Sequence, residues 1–270
     1  MQIPLDIALT QVVGFMLIVA RLSGMFLIAP VFSSKMIPVR IKVMALLVLA
    51  ATMTPIVMGQ QPDVPTDVLG LLISMLLESV VGLAIGFSVA IVFTAVQVGA
   101  SLIDTSIGFS MANIIDPVNN VQASVLGSFY SLVATLAFLS VNGHHWMLVG
   151  FTRSFDIVPV GGVPDVEQMS SNLFAAFSGL FMMAFQIAAP VLVTLLLVDV
   201  VLGIVARVVP QMNVFFVGIP LKISVGLVAV IITLPTFTGF LERRVNDVVA
   251  GVGVVAAKVE QPGEVTAANG

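Results

Sequence analysis

Six ionisable residues stand inside runs of apolar sequence: Arg21, Glu78, Asp104, Asp199, Arg207 and Lys222. A charge in an apolar helix is costly in hydrocarbon, so such residues turn toward a protein interior or a wet cavity. Three chemistries fit this set. The residues could pair acid with base and so fix packing, they could relay a proton or ion through Glu78 and Asp199, or they could line a solvent passage. The even balance of acids and bases favours pairing. The remaining polar chemistry is sparse. His144 and His145 are the two histidines, and neighbours on a helix point about 100° apart, which is wrong for shared chelation. The stretch Asn142-Gly143-His144-His145-Trp146 reads instead as a turn entering a helix, with an aromatic anchor. Cysteine is absent, which excludes disulfides, thiolate metal sites and thiol catalysis. There is no phosphate loop, no Gly-x-Ser-x-Gly elbow and no His-x-x-Glu pairing. No catalytic activity, cofactor or metal is expected.

The elements that hold these residues follow from hydropathy. Hydrophobic residues make up 59% of the 270 and charged residues 9%, and the mean hydropathy is +1.17. A soluble domain carries about 25% charge. Lipid or tightly packed partners must therefore cover much of this surface. Net charge is -4 with no basic cluster, which argues against nucleic acid. The N-terminus lacks a positive region before its apolar run and reads as a retained helix, not a cleaved leader. A membrane-crossing helix needs about 20 apolar residues. Candidates run over 7–29, 41–58, 68–98, 125–141, 174–206 and 223–240. The connectors between them are 30–42, 60–67, 99–124 and 142–172. The chain reads as one hydrophobic helical domain over 1–250 and a loose tail over 251–270. Basic residues at 35–42, Arg207 and Lys222 favour one side of a membrane, and Arg243 and Arg244 fall on the other if all six runs are ordinary spans. That conflict points to spans that are not ordinary.

Gly82, Gly86 and Ala90 repeat every four residues, which puts them on one helix face and lets another backbone approach closely. Ala95 and Gly99 repeat the spacing. Ile37-Pro38-Val39-Arg40 and Ile219-Pro220-Leu221-Lys222 echo one another at the start of two apolar runs. The stretch Gly108-Phe109-Ser110-Met111-Ala112-Asn113-Ile114-Ile115-Asp116-Pro117 is apolar yet punctuated by Gly, Asn and Asp-Pro. Irregular backbone at membrane depth is tolerated only where protein buries it or water wets it. It reads either as an outside loop or as a re-entrant loop lining a passage.

Several blocks occur in order: Arg21-Leu22-Ser23-Gly24, Ala29-Pro30-Val31-Phe32, Pro38-Val39-Arg40-Ile41-Lys42, Glu78 through Phe87, Asp104 through Pro117, Gly143-His144-His145, Leu197-Val198-Asp199, Pro210-Gln211-Met212-Asn213-Val214 and Gly218-Ile219-Pro220-Leu221-Lys222. Together they resemble the FliR family of the flagellar type III export gate. The Gly-Phe-Ser-Met-Ala and Asp-Pro blocks look flagellar more than injectisome-like. The resemblance implies an all-α membrane protein of kinked helical hairpins, a subunit of a helical, funnel-shaped assembly with FliP and FliQ. It implies FlhB, FlhA and the membrane ring as neighbours, in the bacterial inner membrane and flagellar basal body. It implies that unfolded flagellar subunits pass through the assembly, and that much of the chain sits above the bilayer plane with partners covering its apolar faces. It also implies that the segment from Ile107 to Gln122, holding Gly108 to Pro117, plugs the closed channel. The competing class is an ion-coupled secondary transporter using Glu78, Asp104 and Asp199.

Overall fold

The computed structural model describes residues 5–34, 36–59, 65, 67–109, 124–211 and 213–255. Seven α-helices occur among them: α1 (Leu5–Ile28), α2 (Val39–Met58), α3 (Val68–Ile107), α4 (Val125–Ser140), α5 (Gly143–Ile157), α6 (Val166–Val208) and α7 (Val214–Val255). The fold is all-α, and five helices are long and apolar enough to cross a membrane, or six if α4 and α5, bent by 67° at their break, count as one. Asn142 at that break has φ +56°, a left-handed conformation that Asn tolerates better than most residues.

The short polar residues before the apolar runs start the helices. Asp67 accepts the N–H of Gly70 at 2.7 Å ahead of α3, Ser124 that of Gly127 at 2.7 Å ahead of α4, and Asp165 that of Gln168 at 3.0 Å ahead of α6. Each satisfies a first-turn donor that has no partner inside its own helix.

Three helices outrun the lengths their sequence suggests. α3 was expected to end near Val98 and runs to Ile107, so Asp104 lies on a helix and not in a connector. Gly99 does not break it: a methyl there would lie 2.8 Å from the Ala184 carbonyl oxygen, so this glycine serves a close helix approach. α3 stops at Gly108, which takes φ +103°, as glycine ends helices readily in the left-handed region. α6 starts at Val166, just after its Asp165 cap and eight residues before the expected Phe174. α7 starts at Val214 and passes through Pro220 and Pro235. Pro220 is therefore inside a helix while Pro38 caps α2, and the echo between the two segments is not a structural repeat. The expected connector 142–172 is also largely helical, since α5 occupies most of its first half.

Length carries the main consequence. α3, α6 and α7 have 40, 43 and 42 residues. At about 1.5 Å per residue each is roughly 60 Å long, about twice the ~30 Å hydrocarbon core.

The chain forms two compact units. The first gathers Met1–Val89, His144–Ala175 and Asp247–Gly270; the second gathers Ala90–Gly143 and Ala176–Asn246. In the first, Leu17, Ile18, Leu22 and Met25 of α1 are fully buried, and Val81 and Ile85 of α3 are nearly so. In the second, Ala100, Ile103 and Ile107 of α3, Ala134 and Phe138 of α4, and Ala184, Ala188 and Val191 of α6 are buried. Tyr130 meets Phe237 edge-on at 4.9 Å there.

Candidate functional site

Glu78, Gly82 and Gly86 lie one turn apart on α3 and share a face. That face meets α1 with almost no space between the backbones. A methyl at Gly82 would lie 1.9 Å from the Arg21 carbonyl oxygen, and one at Gly86 would lie 2.8 Å from that of Met25. From the opposite side, a methyl at Gly24 would lie 2.3 Å from the Ser79 carbonyl oxygen. Ala90 follows one turn later, half-buried, in the second unit.

The close seam makes the ion pair possible. Arg21 Nε donates to Glu78 Oε2, and both side chains are buried, at 0% and 2% exposure. The guanidinium is satisfied on its other sides as well. Nη1 donates to Ser154 Oγ at 3.0 Å and Nη2 to the Val158 carbonyl at 2.9 Å. The Phe155 ring lies 4.0 Å from its central carbon, a favourable cation–π contact. Glu78 Oε1 accepts the N–H of Gly161 at 2.9 Å, a residue at φ +76°. A buried charge is tolerable only when paired and hydrogen-bonded. Here one pair ties α1, α3, α5 and the segment after α5 into a single unit.

The other singled-out charges lie in the second unit or at a helix end. Lys222 pairs with Asp199, which is half-exposed. Arg207 is exposed in the last turn of α6, where a cation suits the helix dipole, and it makes no ion pair among the described residues. Asp104, 5% exposed, pairs with no base among the described residues. Its Oδ1 accepts the N–H of Leu126 at 3.3 Å, and its main-chain carbonyl accepts the N–H groups of Gly108 and Phe109, both at 3.1 Å. Asp104 thus joins the end of α3 to the start of α4. Asp104→Asn keeps an oxygen acceptor, whereas Asp104→Leu leaves the Leu126 donor buried and unpaired. Losing a helix-start acceptor costs about 0.5–2 kcal/mol, so thermal unfolding of the purified protein should show a clear drop for Leu and a small one for Asn.

Of the expected passage-lining stretch, Gly108 and Phe109 are described, and Ser110, Met111, Ala112, Asn113, Ile114, Ile115, Asp116 and Pro117 lie outside the described residues. His144 and His145 begin α5, and the His145 ring meets Trp146 edge-on. No group of three metal-ligating side chains occurs among the described residues.

Sequence reasoning missed Ser154, Phe155, the Val158 carbonyl, Gly161 and Gly24. The helical spacing of Met147, Phe151, Phe155 and Val158, all buried, was the available signal. The charges Arg153 and Asp156 between them obscured it. Gly24 stood three residues after the one arginine of α1.

Residues 12–248 match the model of the bacterial export proteins, family 1. The flagellar biosynthetic protein FliR of Bacillus subtilis (strain 168) is 37% identical over 224 residues, covering 82% of this chain and 86% of that one. The FliR of Escherichia coli (strain K12) is 28% identical over 232 residues, covering 84% and 87%. The surface presentation of antigens protein SpaR of Shigella flexneri is 31% identical over 162 residues, covering 60% and 62%. With the all-α fold, the membrane-length helices and a family match over nearly the whole chain, this protein belongs to the FliR family of bacterial export proteins and is a membrane component of flagellar export.

Proposed function

We propose that this chain is a structural, channel-forming subunit of the flagellar type III export gate. It assembles with FliP and FliQ in the inner membrane, within the basal body, beside FlhB, FlhA and the membrane ring, and unfolded flagellar subunits cross through the assembly. One observation carries this reading. The helices that are about twice as long as a bilayer core is thick also present large apolar side chains outward. Phe181 and Phe185 on α6 and Ile231 and Ile232 on α7 are 57–71% exposed. Exposed large apolar side chains run from Phe174 to Val208 on α6, roughly 50 Å at about 1.5 Å per residue, which lipid tails in a ~30 Å core cannot cover throughout, whereas partner subunits can. The family resemblance supplies which partners.

The charges support a gate more than a transporter. Glu78 is held by Arg21, Asp199 by Lys222 and Asp104 by the start of α4. The chain holds no phosphate loop, so the driving energy comes from elsewhere, namely the proton-motive force and a separate ATPase. The proposed closing element is the plug at Gly108 to Pro117, displaced by a passing chain. Deleting Gly108 to Asn120 should leave assembly intact and make the inner membrane leak ions, read as a fall in membrane potential and slowed growth. Loss of assembly without leak in any assembled particle would remove the plug. Complementation tests the wider reading: expressed in flagellated cells lacking their own FliR, the chain should restore export of hook and filament proteins, and a properly inserted chain that restores none would count against it.

A further inference from the structure

α2 has 20 residues, roughly 30 Å of helix, and so matches the hydrocarbon core that α3, α6 and α7 outrun. One side of it packs into the first unit through Ala50, Met53, Thr54 and Met58. The other side carries Met44, Leu47, Val48 and Ile56, which are 42–72% exposed and fall at the three- and four-residue steps of a single helix face. From Met44 to Ile56 this face runs about 18 Å, well inside a bilayer core.

Nothing on this face asks for a protein. α2 contains no glycine, so it offers no close backbone approach of the kind made at Gly82. Past Lys42 its polar side chains are Thr52 and Thr54, whose hydroxyls donate to the carbonyls of Leu49 and Ala50 at 2.9 and 2.7 Å. With no side-chain donor left unmatched, lipid tails satisfy the whole length.

The first turns of α2 differ. Arg40 is exposed and Lys42 half-buried. α2 holds no acidic residue, and neither base makes an ion pair among the described residues. The positive end of the helix dipole lies at the same end. Both side chains can run their apolar stems along the helix and reach the interface with their charges. Two uncompensated cations at the rim of a bilayer-length apolar face call for net negative charge at headgroup level. A zwitterionic lipid brings its own ammonium there, whereas an anionic lipid brings the phosphate without it. We propose that the outward face of α2 is seated in lipid and that Arg40 and Lys42 hold the phosphate of an anionic phospholipid at its edge. The lipid contact is made whether or not partner subunits cover the longer helices.

A photoreactive side chain on that face identifies its neighbour. Benzoylphenylalanine replaces Met44, one turn from Arg40 and on its side of the helix. The tagged chain is purified in the form that proves stable, with its partner subunits or without them. It is reconstituted into vesicles of equal parts phosphatidylglycerol and phosphatidylethanolamine and irradiated, and the adducts are identified by mass. The expected product is a lipid adduct. Phosphatidylglycerol should be enriched in it by roughly fivefold or more, since each base near an anionic surface contributes about that factor. In Arg40→Gln/Lys42→Gln the lipid adduct should persist with the two lipids in nearly equal amounts, and Arg40→Lys should keep the enrichment because it keeps the charge. An adduct with a protein subunit in place of lipid overturns the proposal. So does a lipid adduct whose composition is the same in the native chain and in Arg40→Gln/Lys42→Gln. The purified form, hetero-oligomer or chain alone, reports separately on the export-gate reading.

Discussion

Replacing Gly82 with leucine removes the stably folded protein from the membrane. Even the first added carbon would lie 1.9 Å from the Arg21 carbonyl oxygen and 2.8 Å from its carbon. Both are backbone atoms, so no rotamer change relieves the clash. α1 and α3 must separate, and the seam set by Gly24 and Gly86 opens with them. Helix association in lipid depends on such close packing, because lipid tails remove the usual hydrophobic drive between helices. Overpacking usually costs about 1–3 kcal/mol and occasionally more. Here the same shift also pulls Glu78 away from Arg21, and breaking a buried pair costs about 3–5 kcal/mol. The sum is of the order of a whole domain's stability. Gly86→Leu should also block assembly, through its 2.8 Å approach to Met25. Gly179→Ala, Gly203→Ala and Gly239→Ala form the control, since nothing lies within 4 Å of a methyl at those sites. They should be neutral, or more stable by about 0.5–1 kcal/mol through helix propensity. Full-length protein in the membrane fraction and its resistance to limited proteolysis measure both sides of the contrast. A Gly82→Leu protein as abundant and protease-resistant as the Gly203→Ala control would contradict the seam.

The second large effect is at the buried pair. Arg21→Leu and Glu78→Leu should each destabilise the first unit by about 3–5 kcal/mol, because each strands the other charge without its partner. The double variant should lose less than the sum of the two singles. It should not regain full stability, since Ser154, the Val158 carbonyl and the Gly161 N–H lose their partners as well. Arg21→Lys should fail nearly as badly as Arg21→Leu. A lysine ammonium is a point charge and cannot reach Glu78, Ser154 and the Val158 carbonyl together, as the guanidinium fork does. Thermal aggregation midpoints in detergent separate these cases. Wild-type stability for Arg21→Lys would mean that charge alone matters and the fork does not.

The seam shows how far sequence reaches in this protein. Arg21, Glu78, Gly82 and Gly86 were legible one by one, because a charge in an apolar run and a four-residue glycine spacing each have few physical explanations. Their joining was not legible, since it depends on which helix α3 meets, and that is set by non-local packing. Helix ends were misread for a related reason. Gly99 and Pro220 signal breaks in water-soluble chains, whereas Gly99 serves a close approach to α6 and Pro220 sits within a continuous α7. Asp104 read as a charge in need of a base, yet it finds a backbone N–H instead. The span conflict posed by Arg243 and Arg244 has a physical counterpart in helices about twice the length of a bilayer core.

The claim that partner subunits cover these apolar helices is tested most directly by purification and native mass analysis. The tagged chain is expressed alone and together with its FliP and FliQ counterparts. A discrete hetero-oligomer on co-expression, with poor recovery of the chain alone, is the predicted result. A well-behaved monomer or homodimer, stable in detergent and indifferent to the other two proteins, would contradict it and make ion-coupled transport the activity to assay.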